Sequence, residues 1–250
     1  MNNLDQANPT TGEDDGLNEP IHCLICCVNY ADYFEHTLPR LLCRRLNVSV
    51  VTTPEDRATR DLCDSHKVRA ILSTRVHQNG ADFNKGALIN DIYRETNPRG
   101  WTLLLDADVI LLGELDTRSL DPSVIYGVVR HNVYETWEMW EQHAGDTHEN
   151  EVDIMMEKIN RSGVPTSLER FYSSMPAYGY FQLFWVDPDD HPYDLYSEIS
   201  RGAEWSDEVF RDNWPVDKRQ FLRMLRCVHL GPSSTNWHGR KSKPWGTPQR

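Results

Sequence analysis

The sequence contains no run of about 18 apolar residues, so no helical membrane span is expected. Its first twenty residues have neither a cationic patch nor an apolar stretch, which argues against a secretory leader. Polar, acidic and aperiodic, residues 1–19 are expected to be disordered. Positive charge is in short supply. Lys and Arg number 26 against 38 Asp and Glu, a net charge of −12, which excludes a global basic field for holding nucleic acid. Cysteine is sparse, with six residues. Cys23-x-x-Cys26 has half of a zinc-site spacing, but no second Cys/His pair follows at finger spacing. In a strand, Cys23 and Cys27 face one way and Cys26 the other, which suits buried thiols in a reducing cytoplasm.

What is present is an ordinary globular composition, 39% apolar and 26% charged. At 250 residues the chain is long enough to bury a core without disulfides or a structural metal. From residue 21 strands and helices alternate. Expected strands are 21–28, 48–52, 68–72 and 101–105. Expected helices are 33–46 (with Pro39 inside), 54–66 and 84–96. That order predicts an α/β domain with a mostly parallel central sheet and helices on both faces. Beyond Asp108 the pattern is less regular. Strands are expected at 124–129, 178–186 and 226–230, helices over 131–150 and 151–161, and a short helix over 206–213 capped by Ser206. No internal repeat is seen, so residues 20–245 read as one domain.

Charge is unevenly spread. From Arg211 to Arg250 there are nine basic residues against Asp212 and Asp217, a local +7 on an acidic body. Such a stretch suggests that something anionic is handled near it, or simply a solvated cationic end.

The sharpest feature is Leu103-Leu104-Leu105-Asp106-Ala107-Asp108. An apolar strand delivers two carboxylates to its C-terminal end, where ligands bind in open α/β sheets. Two acids one residue apart offer hard oxygen ligands for a divalent cation, which in turn can hold a diphosphate.

Around that motif the chain resembles the GT-A fold nucleotide-sugar glycosyltransferases, particularly family-two-like bacterial and phage proteins. The resemblance runs from about Ile21 to Arg240. It is carried by Cys27-Val28-Asn29-Tyr30-Ala31-Asp32-Tyr33, Val50-Val51-Thr52-Thr53-Pro54-Glu55-Asp56 and Phe83-Asn84-Lys85-Gly86. Asp106-Ala107-Asp108, Tyr180-Phe181-Gln182, Ser206-Asp207-Glu208-Val209-Phe210 and His229-Leu230-Gly231-Pro232 complete it.

The resemblance implies a GT-A-like fold and transfer of a sugar from a UDP- or GDP-linked donor, with Mn²⁺ or Mg²⁺. It places the donor's base and ribose against Val28, Asn29, Tyr30 and Asp32, with Thr53 and Asp56 in the base pocket. Asn84 and Lys85 come close to the donor, with Lys85 meeting a phosphate or hydroxyl. Asp106 is implied for ribose or metal, Asp108 for metal, and His229 as the third metal ligand. Arg240 is implied to fold over the phosphates. Asp207 is the implied base of an inverting transfer, with Glu208 its rival. A cytoplasmic enzyme is implied, in the host cytoplasm if phage-encoded. The acceptor is a glycan, protein, small molecule or hydroxymethylated DNA base.

Plainer roles compete. Asp207 and Glu208 fit first-turn acids favoured by a helix dipole. His229 fits a half-buried strand histidine, and Lys85 a solvated helix residue. Three other functions also compete: a degenerate fold that only binds sugar or nucleotide, a haloacid-dehalogenase-like phosphatase with Asp106 as nucleophile, and a nucleotidyltransferase. The last usually has a Gly-rich loop after the first strand, where this chain has Asn29-Tyr30-Ala31-Asp32.

Overall fold

The computed structural model describes residues 20–133, 176–187, 189, 195–199, 202–230 and 239–240. The expected N-terminal disorder, residues 134–150, the expected helix over 151–161 and residues 231–238 and 241–250 of the basic stretch lie outside them; residues 131–133, expected to be helical, are the end of a strand paired with residues 228–230.

The first half follows the alternation. Strand β1 (His22–Cys26) leads to α1 (Ala31–Cys43), β2 (Asn47–Thr52), α2 (Arg57–Ser65) and β3 (Arg69–Leu72). A 3₁₀ turn (Arg75–Gly80) precedes α3 (Lys85–Thr96) and β4 (Gly100–Asp106). Helix starts are set by side-chain caps. Asp56 accepts from Thr59 N and caps α2, so that helix begins three residues after Pro54. Asn84 caps α3 by accepting from Ala87 N at 2.9 Å. Pro39 sits inside α1, where its missing donor would have met the carbonyl of the exposed Glu35.

The second half adds β5 (Val109–Leu112), β6 (Ile125–Val133), β7 (Phe181–Val186), α4 (Ala203–Arg211) and β8 (Arg219–Leu230). Strand β5 was not anticipated, and β8 is longer than expected. Helix α4 begins at Ala203, and the Ser206 hydroxyl donates back to the Ala203 carbonyl at 2.8 Å in place of capping the helix. Asp207 and Glu208 therefore lie beyond the first turn, where the dipole argument for acids no longer reaches.

All eight strands form one sheet, ordered β3-β2-β1-β4-β7-β6-β8-β5. The pairings β1–β2, β1–β4, β2–β3 and β6–β8 are parallel, and β4–β7, β6–β7 and β5–β8 antiparallel. Only Ala107 and Asp108 separate β4, in the middle, from β5, at the far edge. Four strand spacings in a flat sheet come to about 19 Å. The link from Asp106 to Val109 reaches at most about 11 Å. The sheet must therefore curl until its far edge returns to the end of β4.

One buried cluster draws on every strand but β3: Cys23, Val50, Leu103, Val109, Val128, Leu183 and Cys227 are among its members. Phe34, Leu38 and Leu41 of α1 and Cys63 of α2 pack into it. The other face buries Leu24, Val51, Leu104 and Phe184 under α3 (Leu88, Ile92, Tyr93) and Phe210 of α4. Helices thus cover both faces. The Thr37 hydroxyl of α1 donates to the Ala107 carbonyl at 2.6 Å, and Arg44 donates to the carbonyls of Leu111 and Gly113. Helix α1 thereby pins the β4–β5 turn and the strand after it. Among the described residues, no helix is long and apolar enough to cross a membrane.

Segment 195–199 is fastened to α3. The fully buried Asn90 accepts from Leu195 N and Tyr196 N and donates to the Tyr196 carbonyl. Glu198 accepts from Asn90, Arg94 and Arg75. Gly86 lies so close beneath Ser197 that a Cβ there would overlap its carbonyl. Burial alone would raise the Glu198 pKa, but Asn90, Arg75 and Arg94 outweigh it and hold it below its ordinary 4.5. A depressed carboxyl contributes stability above its ordinary pKa and loses it as pH falls. Glu198→Gln should therefore lower the unfolding free energy at pH 7 by about 1–3 kcal/mol for charge-assisted bonds, read as a lower urea midpoint. The gap from wild type should close as pH drops below about 4.5. A gap that stayed constant down to pH 3 would show that the charge does not hold this segment.

Candidate functional site

The curl brings distant residues onto the β4–β5 turn. Val109 of β5 pairs with His229 of β8, and Leu230 N donates to the Asp108 carbonyl at 2.9 Å. His229 Nε2 lies 3.5 Å from Asp108 Oδ1. Ligand atoms of Asp106, Asp108 and His229 all fall within 4.8 Å of one another.

The electrostatics suit a cation. Burial, and then the Asp106 charge, push the Asp108 carboxyl up to about 8. Burial, and then Arg130, hold His229 down to about 3, so its imidazole is neutral. A neutral imidazole beside two acids crowded out of water is a ligand set, not a settled ion pair. The buried His229 Nδ1 has no hydrogen-bond partner among the described residues. Two carboxylates and one imidazole are donors that Mn²⁺ and Mg²⁺ accept, so the residues fit the implied metal.

These three line the floor of a cleft of about 580 Å³. Val28, Asn29, Tyr30, Thr53, Lys85, Asp207, Glu208 and Arg240 line it too. Asn29 takes a left-handed backbone (φ 60°) immediately after β1. Its N–H donates to Asp56 Oδ2 at 2.6 Å, and Thr52 and Thr59 hydroxyls donate to the same oxygen. Asp56 is buried and does not line the cleft; its carboxylate fixes the turn that does. Asn84 is likewise fully buried, committed to capping α3 and to the carbonyls of Gln78 and Glu198. Asp32 lies behind Tyr30 and forms a two-pronged ion pair with Arg240. Arg240 also donates to the Asn29 carbonyl at 2.7 Å and sits 4.9 Å from the Tyr30 and Tyr33 ring centroids. It is thus a wall of the first turn.

Across the cleft, Lys85 Nζ lies 2.9 Å from Asp106 Oδ1 and 3.0 Å from Asp207 Oδ2. Burial would lower the Lys85 pKa, but the two carboxylates outweigh it and raise it. Asp207 is pushed up to about 6: burial raises it, Lys85 pulls it back, and Asp106 adds to the rise. Tyr196 Oη donates to Asp207 Oδ1 at 3.1 Å and also contacts Gln182 Oε1. Gln182 Nε2 donates to the backbone carbonyl of Asp207. Of the aromatic run, Tyr178, Gly179 and Tyr180 line the cleft from the turn before β7 and not alternately along the strand, whose residues pack mostly into the core.

Three contributors were not picked out from the sequence. Arg130 of β6 lines the cleft and sits 4.6 Å above the Tyr180 ring. Tyr196 and Gly179 flank Asp207. Each arrives through the sheet order, for which no local motif exists. Of the basic C-terminal residues, Arg211 and Arg219 pair with Asp212, and Lys218 with Asp121.

No family model matches the chain, and no curated protein is significantly similar to it. Among solved structures it is similar to the apo structure of the bifunctional glycosyltransferase WbbM, at 12% identity and a TM-score of 0.32. The match covers 71% of this chain and 32% of that one, so the chain spans about a third of that protein's length. At that level the chemistry rests on the residues themselves.

Asp108→Asn should abolish Mn²⁺ binding, read as loss of depletion of the free-ion signal in electron paramagnetic resonance. It also removes a buried carboxyl whose raised pKa costs stability at neutral pH, so the metal-free variant should unfold at a higher temperature than wild type. Undiminished Mn²⁺ binding by this variant would remove the candidate centre.

Proposed function

We propose that this chain is a metal-dependent glycosyltransferase that moves a sugar from a nucleotide-sugar donor to an acceptor hydroxyl. The observation that carries the reading is the Asp106–Asp108–His229 cluster at the C-terminal end of β4, on the floor of a cleft that also holds Asp207. The motif resemblance set out above supports it.

In this reading the first turn receives the nucleoside, with Tyr30 as a flat wall and Thr53 beneath. Asp56 and the Asp32–Arg240 pair hold that turn in shape. Asp106, Asp108 and His229 would hold Mn²⁺ or Mg²⁺, which neutralises charge developing on the departing diphosphate. Asp207 takes the proton of the acceptor hydroxyl. The acceptor oxygen forms its bond to the anomeric carbon while the bond from that carbon to the diphosphate oxygen breaks, its electron pair leaving with the diphosphate. A carboxyl near 6 is ionised at neutral pH yet basic enough to serve. Both Asp207 oxygens already accept one hydrogen bond, and each has a further lone pair for the incoming hydroxyl. Glu208 also lines the cleft and is the next candidate.

The test is thermal unfolding against UDP, GDP, CDP and TDP, each with and without Mn²⁺. A nucleotide at about 100 times its dissociation constant adds about 2.7 kcal/mol, a shift of a few degrees. One nucleotide should act, only with metal, and the shift should vanish in Asp108→Asn. Asp207→Asn should keep the shift and lose transfer by at least about 100-fold. No shift with any nucleotide would overturn the transferase reading and favour phosphatase chemistry at Asp106.

A further inference from the structure

We propose that Lys85 is a positioning residue that fixes Asp106 and Asp207 against each other as one unit, and that it does not bind the donor's phosphates. The inference rests on the transferase reading and deepens it.

An ammonium group has three N–H donors and no acceptor. Lys85 has three partners within reach: Asp106 Oδ1 at 2.9 Å, Asp207 Oδ2 at 3.0 Å and the Gly179 carbonyl at 3.3 Å. Its side chain is 9% exposed. A phosphate oxygen reaching Nζ must displace one of these partners and leave a buried acceptor unmet. The three come from the end of β4, the second turn of α4 and the residue just before Tyr180. Lys85 itself opens α3. The ammonium thus ties three parts of the wall to a fourth.

The surroundings of Asp207 point the same way. Tyr196 holds its Oδ1, Lys85 its Oδ2, and Gln182 its backbone carbonyl. Gln182 is itself anchored on the Ala177 carbonyl at 3.0 Å. Gly179 lets the carboxylate lie directly against the chain, where any Cβ would overlap Oδ2. Lys85 is one member of a cradle built around an acid. A cation that served the donor would aim its N–H groups into the cleft, whereas these run along its wall.

The two roles separate experimentally in Lys85→Gln. For a phosphate ligand, the preference for a nucleoside diphosphate over its nucleoside, measured by calorimetry with Mn²⁺, falls about tenfold or more. For a positioning residue, that preference changes less than about threefold, while kcat falls about 100-fold with donor KM little changed. Gly179→Ala, which leaves Lys85 in place but crowds Asp207, should reproduce the kcat loss. A collapsed diphosphate preference in Lys85→Gln overturns the proposal, as does full turnover in both variants.

Stability gives a readout independent of activity. Lys85→Gln leaves two buried acids facing each other and should be strongly destabilised. Adding Asp207→Asn should recover part of that loss, because the two sites are coupled. Losses that simply add overturn the proposal. If wild type binds no nucleotide, the transferase reading fails, and the double variant still judges whether Lys85 holds the acids together.

Discussion

The site depends on a reach constraint. The central strand β4 and the edge strand β5 are joined by two residues, Ala107 and Asp108, yet three strands lie between them in the sheet. A chain so short cannot cross a flat sheet. The sheet closes on itself, and β8, hydrogen-bonded along β5, delivers His229 onto the same turn. The three candidate ligands are neighbours because the backbone has no other way to make that connection. The Thr37 bond to Ala107 then fixes the turn from the helix side, leaving the two flanking carboxylates aimed at one place.

The two halves of the sheet do different work around this turn. The parallel strands β3, β2, β1 and β4 end together, and their loops form one side of the cleft, as open α/β sheets favour. The antiparallel additions β7 and β8 supply the opposite wall. Charge is arranged in matching fashion. Two acids near the cleft are tied to a cation or a hydroxyl: Asp32 to Arg240, Asp207 to Lys85 and Tyr196. Asp108 and His229 lack such settlement, with a 3.5 Å separation and an orphaned ring nitrogen.

Much of the first half was legible because local rules govern it. Apolar runs gave β1, β2 and β4, whereas the capping roles of Asp56 and Asn84 appear only in the structure. Asp106 and Asp108 were visible as acids ending a buried strand. Legibility failed where contacts depend on sheet order. Val109–Leu112 directly follows a strand and a turn, so nothing local separates it as a new element on the opposite edge. Ser206 looks like a cap, but packing of Phe210 against Phe184 and Tyr196 extends α4 one turn earlier. The donor contact expected for Lys85 rested on the motif resemblance alone. Its actual neighbours, Asp106, Gly179 and Asp207, are gathered from three distant stretches that periodicity cannot connect.

The position of β8 also has a consequence for how the molecule comes into being. It pairs in parallel with β6 and antiparallel with β5, elements made long before it. During synthesis the βα units around β1 to β4 emerge first and can collapse on α1 and α3. Until β8 docks, β5 has no partner, and the Asp106–Asp108 turn presents two acids with no imidazole. Closing that pairing spans most of the second half of the chain, the kind of long-range contact that makes folding slow. The three candidate ligands are therefore brought together only when β8 docks and the sheet curls shut.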